Sequence, residues 1–305
     1  MSTKIVAWIF VLLSLIAAPL LLGVINKTKA LFGGRRGAPL LQVYFDIWKL
    51  LRKGAVYSRS TTFVFRTGPW ITLVAVIMAL LLLPLSGRTA VLAFSGDLIL
   101  FAYVLGLGRF FTVAAALDTA SSFEGMGGSR EVFFSAFAEP ALFCGLIVLA
   151  KSTGSLSLSE MLGPALGPVW EFNAAALFLI LLSLLAVVLA ENSRIPVDDP
   201  NTHLELTMVH EVMVLDHSGP DFACVQYTAA LKLLLFEVLL MRIMVPVVNE
   251  DLFPALAIYL AGMAGIAVLI GIIESVMARL RMMVVPRFLV AATILAAFAI
   301  ALVVR

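Results

Sequence analysis

Five charge-free stretches decide what this chain can fold into: Ile5–Asn26, Thr67–Gly87, Phe172–Ala190, Leu252–Ile273 and Phe288–Val304. The first four meet the roughly 20 apolar residues a helix needs to cross the hydrocarbon of a bilayer, and the last is slightly short. Three further apolar segments carry internal charges: about 98–117 with Arg109, about 132–150 with Glu139, and about 222–248 with Lys232, Glu237 and Arg242. No soluble core can absorb this much apolar surface. Of the 305 residues, 62% are hydrophobic and 13% charged, against about 45–50% and about 25% in soluble domains. The expected fold class is an all-α integral membrane protein of about eight transmembrane helices, one transmembrane domain over residues 1–305. Lys4 followed by Ile5–Ile25 has the outline of a signal peptide, but its length and the poor cleavage context at Ala17-Ala18-Pro19 favour a retained helix.

Charge placement gives an orientation. With eight spans, the loops on the side opposite the termini are about 27–66, 118–131, 191–221 and 274–287, and they hold fourteen of the 21 Lys and Arg residues. The terminal side holds only Lys4, Arg88, Lys151 and Arg305. The positive-inside rule therefore predicts external termini and four cytoplasmic loops, in a multi-pass protein of the cytoplasmic (inner) membrane. The net charge of +2 gives no argument for nucleic acid.

Within the first loop, Leu40, Val43, Tyr44, Ile47, Trp48, Leu50 and Leu51 recur at helical spacing among Gln42, Asp46, Lys49, Arg52 and Lys53. Such a segment is too short and too charged to span. It is expected as an amphipathic helix along the interface or against the ends of the other helices.

Several familiar chemistries find no support. Cys144 and Cys224 form no CxxC pair from which an iron–sulfur cluster or zinc ribbon could be built, and read as small buried hydrophobes. His203, His210 and His217 lie seven residues apart, about 10 Å along a helix, too far for one ion bound about 2 Å from each nitrogen. The segment FEGMGGSRE, 123–131, lacks the order of a phosphate loop and reads as a flexible or tightly turned loop. No serine or cysteine stands in a nucleophile signature.

What remains is charge inside the membrane. Arg109, Glu139, Lys232, Glu237 and Arg242 cost several kcal/mol each unless paired or hydrated, and so mark function. Asp97, Asp118, Glu191 and Glu274 lie at helix ends. Lys232, Glu237 and Arg242 follow at steps of five, about 140° apart on a helix, so their partners must come from other helices or other subunits.

The one long polar stretch, ENSRIPVDDPNTHLELTMVHE, gathers Glu191, Asp198, Asp199, Glu205 and Glu211 with His203 and His210. Asp199-Pro200 is a good helix start, predicting a short cytoplasmic helix from about Pro200 to Val214 with Leu206, Val209 and Met213 as its apolar stripe. This stretch, continued through VMVLDHSG, resembles the loop between the fifth and sixth helices of the H/1 family of respiratory complex I membrane proteins. The matching positions are Glu191, Arg194, Pro196, Asp198, Glu205 and Ser218-Gly219. RRGAPLLQVYFDIWKLL resembles the first loop of that family. SREVFFSAFAEP resembles its fourth helix, with Glu139 on the family's intramembrane glutamate. The chain departs from the complex I members in lacking a Gly-Pro-Asn element between Arg36 and Leu40. It also has Asn201 and His203 at usually acidic positions, and Asp216-His217 where Glu-Tyr would stand. The form VDDPNTHLELTMVHE looks instead like the sister branch, the membrane subunits of formate hydrogenlyase and hydrogenase-4, relatives of group 4 [NiFe] hydrogenases.

That resemblance implies a cofactor-free membrane anchor subunit, with the nickel–iron centre and the iron–sulfur clusters in partner subunits. The implied partners are the hydrogenase large and small subunits of a peripheral arm, antiporter-like membrane subunits and the lipid bilayer. Glu191, Asp198, Asp199, Glu205 and Glu211 are the expected interface part of a proton or sodium relay, and Glu139, Lys232 and Glu237 its intramembrane part. Arg109 and Arg194 are the expected charge partners, and Arg35, Arg36, Asp46, His203 and His210 are expected to dock the peripheral arm. A quinone-site subunit of a complex I relative is the alternative, with quinone entering between the first helix, the amphipathic helix and the polar loop. A stand-alone ion transporter is a third reading, for which no internal repeat speaks.

Overall fold

A computed structural model describes residues 3–199, 208–246 and 251–304, and every regular element among them is helical. In chain order these are α1 (Thr3–Phe32), α2 (Gln42–Leu51), α3 (Phe63–Leu82), α4 (Asp97–Asp118), α5 (Ser122–Thr153), α6 (Leu158–Met161), α7 (Leu166–Glu191), α8 (Gly219–Met244), α9 (Leu252–Val276) and α10 (Val285–Val304). A 3-10 turn, Glu211–Val214, precedes α8. Eight of them, all except α2 and α6, are long and apolar enough to cross a membrane. Each is the element expected from its apolar run, because a backbone in hydrocarbon must satisfy every amide within its own segment.

Helix α8 is the axis of the bundle. It packs against α1, α2, α3, α7 and α9, and from Ala230 to Ile243 only Lys232 is not buried. Around it, α9 lies on α1, α4 on α3, and α10 on α5 and α7. Small residues bring α3 and α4 together: the hydroxyl of Thr72 donates to the Gly108 carbonyl at 3.2 Å, and a Cβ at Gly68 would stand 2.9 Å from that of Ala115. Such close approach, with hydroxyls hydrogen-bonding between helices, is how membrane helices associate when burial of apolar surface gives no net drive. At one end of the bundle Asp97 is fully buried and ties two connections together, accepting from Leu158 N at 2.6 Å and from Ser157 Oγ at 3.1 Å. At the other end Asp118 accepts from Thr62 N at 2.7 Å and Phe65 N at 3.1 Å, capping α3 from the end of α4.

Two expectations are corrected. The glycine-rich 123–131 is not a loop: α5 begins at Ser122 and runs through it to Thr153, ten residues earlier than the segment 132–150 predicts. Glycine weakens a helix interior, but here it permits contact that any side chain would block. A Cβ at Gly127 would lie 2.3 Å from Val212 Cγ1 and 2.9 Å from Met213 Cγ. The second correction concerns the helix expected over 200–214. Residues 200–207 lie outside the described residues, and from 208 onward the chain is irregular up to the single 3-10 turn Glu211–Val214. Val209 and Met213 are buried as expected, but burial is reached by threading the segment over α4 and α5 and not by laying a helix on them.

Candidate functional site

Helix α7 ends at Glu191, and the chain turns back at once. Arg194 N donates to Leu189 O at 2.8 Å, and Ser193 sits at φ +50°. This turn keeps Glu191, Arg194 and Asp198 buried inside the bundle. Glu191 is the hub: its carboxylate accepts from Arg109 Nη2 at 2.5 Å and pairs with Lys232 Nζ at 2.9 Å. Lys232 also donates to the Glu191 backbone carbonyl at 2.7 Å. Arg109 grips Glu139 with its other terminal nitrogen. The result is a chain of alternating charge, Glu139–Arg109–Glu191–Lys232, drawn from α5, α4, α7 and α8. The side chain of Glu191 is only 4% exposed, whereas that of Glu139 is 46% exposed on the flank of α5.

A second network joins the connections on the same end. Glu274 at the end of α9 pairs with Lys29 at 2.7 Å and Arg194 at 3.4 Å. Asp198 pairs with Arg279 at 2.8 Å and accepts from Val209 N at 3.0 Å, so it fastens the polar stretch to the segment after α9. Asp199 lies at the edge of the described region, its amide donating to Asp198 Oδ1 at 2.9 Å. Glu237 stands apart: it is fully buried, its oxygens have no hydrogen-bond partner among the described residues, and Arg194 is the charge that faces it. Arg242 donates from Nε to the Pro84 carbonyl at 3.1 Å.

Between these charges and α1, α2 and α3 lies a cavity of about 400 Å³. One end is ionic, with Arg109, Glu131, Glu191, Arg194, Asp198 and Lys232. The rest mixes apolar side chains, among them Leu22, Val43, Pro69, Val76 and Leu105, with polar ones such as Asn26, Thr72 and Gln226. Asp46, His210, Glu211 and His217 also face it. Burial and the neighbouring Lys232 ammonium push the His210 imidazole down to about 4. Burial likewise lowers His217, which stacks on Phe65 with ring centroids 4.0 Å apart. Tyr57 donates to Asp221 at 2.7 Å, and that bond holds its phenol above the ordinary range.

The structure thus brings Glu139, Glu191, Lys232 and Arg109 into one contact chain. It places Asp198, Glu211, Asp46, His210 and Arg194 on the cavity wall beside it. Glu237 is not in that chain. Arg35 and Arg36 are exposed beyond the end of α1, and Glu205 and His203 lie outside the described residues. Sequence reasoning passed over Glu131, which lines the cavity within electrostatic reach of Lys232, Glu191 and Arg109. It also passed over Glu124, fully buried and accepting from Asp216 N at 2.9 Å. The signal was there: 124 and 131 are seven apart, one face of a helix, but the glycines between them disguised that helix. Among the described residues no group of three His, Cys, Asp or Glu side chains is placed to hold a metal ion.

Comparison with known proteins gives a consistent result. The profile of the NADH dehydrogenase family matches residues 4–305. Hydrogenase-4 component C of Escherichia coli is 31% identical over 277 residues, covering 89% of this chain and 86% of that protein. Formate hydrogenlyase subunit 4 of the same organism is 30% identical over 279 residues, covering 88% and 89%. Among solved structures, a chain of the membrane-bound sulfane sulfur reductase, an archaeal respiratory membrane complex, superimposes with a TM-score of 0.81 over 98% of both chains at 21% identity.

Proposed function

Because this chain belongs to the NADH dehydrogenase family, as a membrane subunit of complex I-like assemblies, we propose that it is the membrane anchor and coupling subunit of a group 4 hydrogenase or formate hydrogenlyase-like complex. It carries no catalytic step of its own. It docks a peripheral arm holding the nickel–iron centre and iron–sulfur clusters and adjoins antiporter-like membrane subunits. The ends of the bundle that carry residues 27–66, 118–131, 191–221 and 274–287 face the cytoplasm and the termini face outward, because fourteen Lys and Arg residues lie in those residues against four on the other side.

The observation that carries this reading is the Glu139–Arg109–Glu191–Lys232 chain beside a cavity at the loop-bearing end. A change of charge in a docked redox arm alters the field at the ionic cavity wall. Glu191 is the hub through which that change reaches Arg109 and then Glu139, because each of its partners is held by a charge-assisted contact. Glu139 leans out of the bundle flank, where a neighbouring membrane subunit can receive the proton or sodium ion. Asp198, Asp199, Glu205 and Glu211 complete the interface part of the relay, and Glu237 its membrane part beyond the cavity. Arg35, Arg36, Asp46, His203 and His210 contribute to docking. The test is Glu139→Gln in the intact complex. Ion movement falls at least tenfold for each electron pair transferred, while electron transfer itself persists. Unchanged coupling in Glu139→Gln and in Asp199→Asn would sink the assignment.

The cavity supports a second reading. A space lined by a cluster of charges together with apolar side chains from α1, α2, α3 and α4 suits an amphiphile such as a quinone. Reduction of an added quinone by the purified complex, abolished by a bulky substitution at Val43 or Leu22, would move the function to that class.

A further inference from the structure

Helix α2 has no buried residue. On its inner side Val43 and Asp46 belong to the cavity wall. On its outer side Phe45, Trp48, Lys49 and Arg52 follow the i, i+3, i+4, i+7 spacing of one helical stripe, and Leu41 extends it by a turn. All five are exposed, Phe45 and Trp48 each 58%. The stripe is graded along the helix: apolar at its start, cationic at its end.

Contacts with α1 fix the depth of this stripe. The Tyr44 hydroxyl donates to the Ile16 carbonyl. The Leu40 carbonyl lies against Gly23 so closely that a Cβ there would stand 2.1 Å away. Helix α1 continues from these residues to Phe32, about 14 to 24 Å further along the axis at 1.5 Å per residue. Helix α2 therefore starts beside the apolar body of α1, and its cationic end reaches the first residue of α8, where a Cβ at Gly219 would stand 3.0 Å from the Lys53 carbonyl. A protein docking on the loop-bearing end meets the ends of the helices, whereas a flank at this depth meets lipid.

Charge then selects the lipid. Residues 27–66 hold nine Lys and Arg residues against the single carboxylate of Asp46. Asp46 faces the cavity and accepts from Gln42 at 2.9 Å, so it does not neutralise the outer face. Arg52 lies over the Trp48 ring at 4.7 Å, holding its guanidinium at the boundary between aromatic and polar surface. Lys49 and Lys53 have no ion pair among the described residues.

We infer that α2 is a binding site for an anionic phospholipid. Lys49, Arg52 and Lys53 hold the phosphodiester, and Leu41, Phe45 and Trp48 carry the acyl chains. The bound lipid would form the outer skin of the cavity wall, since the same helix separates the cavity from the bilayer.

Photo-crosslinking in the intact complex, reconstituted in nanodiscs, tests this. Photoactivatable phosphatidylglycerol should label residues 41–53 about tenfold more than photoactivatable phosphatidylcholine, given the attraction of several interfacial cations for anionic headgroups. K49Q/R52Q/K53Q should bring the two lipids to within about twofold of each other, while the charge-preserving K49R/R52K/K53R retains the preference and so excludes misfolding as the cause. Equal labelling by both lipids in the unmodified complex overturns the inference. So does labelling by neither, which would mean that a protein partner covers the helix. Equally strong labelling by a soluble photoactivatable glycerol phosphate overturns it too, since that would mark a site for free phosphate.

Discussion

Replacing Glu191 by Gln tests the central claim that one buried carboxylate holds two cations. The substitution keeps the shape of the side chain and removes its charge. Among the described residues, Arg109 then keeps its contact with Glu139, which is 46% exposed, and Lys232 its hydrogen bond to the Glu191 backbone carbonyl at 2.7 Å, with Glu131 within electrostatic reach of both. Removing one partner of a buried ion pair costs about 3–5 kcal/mol, because the other charge is left without compensation. The residual partners place Glu191→Gln near the lower end, about 3 kcal/mol, or about a hundredfold in the folding equilibrium. Lys232→Met leaves Glu191 with Arg109 and should cost less, about 2 kcal/mol. In the double variant the stranded ammonium is gone, so the total should stay near 3 kcal/mol and not reach 5, a coupling of about 2 kcal/mol. Equilibrium unfolding of the four proteins in mixed detergent micelles, followed by circular dichroism, measures the cycle. Additivity within about 0.5 kcal/mol would refute the reasoning, because it would mean that the Glu191–Lys232 contact at 2.9 Å carries no net interaction.

Three further outcomes follow from the geometry. Gly127→Ala should cost about 1–3 kcal/mol by overpacking against Val212 and Met213. Its neighbour Gly128→Ala, where the nearest atom is 3.5 Å away, should be neutral or gain up to about 1 kcal/mol of helix stability; melting temperatures of the pair decide. For His210, the folded value of about 4 lies below the unfolded 6.5, so the unfolded chain binds more protons between the two. Stability is then full above about pH 6.5 and falls by up to about 3 kcal/mol towards pH 4, and His210→Asn should flatten that part of the stability–pH curve. Asp118→Ala removes the acceptor for the amides of Thr62 and Phe65 and should cost about 1–2 kcal/mol, visible as faster hydrogen exchange at the start of α3.

The candidate site was legible residue by residue but not as an arrangement. Glu139, Arg109 and Lys232 stand out because a charge in an apolar run is costly, and Glu191 because it opens the one long polar stretch. That Lys232 must look to another helix follows from its spacing to Glu237 and Arg242. That the other helix is α7, and that Glu191 joins Lys232 to Arg109, depends on packing among α4, α5, α7 and α8, which no periodicity encodes. His210 and His217, conspicuous on paper, became half-buried and buried members of a cavity wall. Glu131 was overlooked because glycines that normally end helices here sit inside one.

The sequence by itself determined the solvent of this protein and the number of its spans, since runs of apolar residues longer than a bilayer is thick admit no other fate. It also marked the amphipathic α2, because a two-faced helix needs only its own period. Only the tertiary structure decided that residues 208–218 before α8 form a threaded strap with a single 3-10 turn and not an α-helix. There, close contact with Gly127 and the hydrogen bonds to Asp198 and Glu124 outweigh local preference. It alone likewise decided which charges meet. An isolated charge in hydrocarbon announces its own cost, but the partner that offsets it is chosen by the packing of helices distant in the chain.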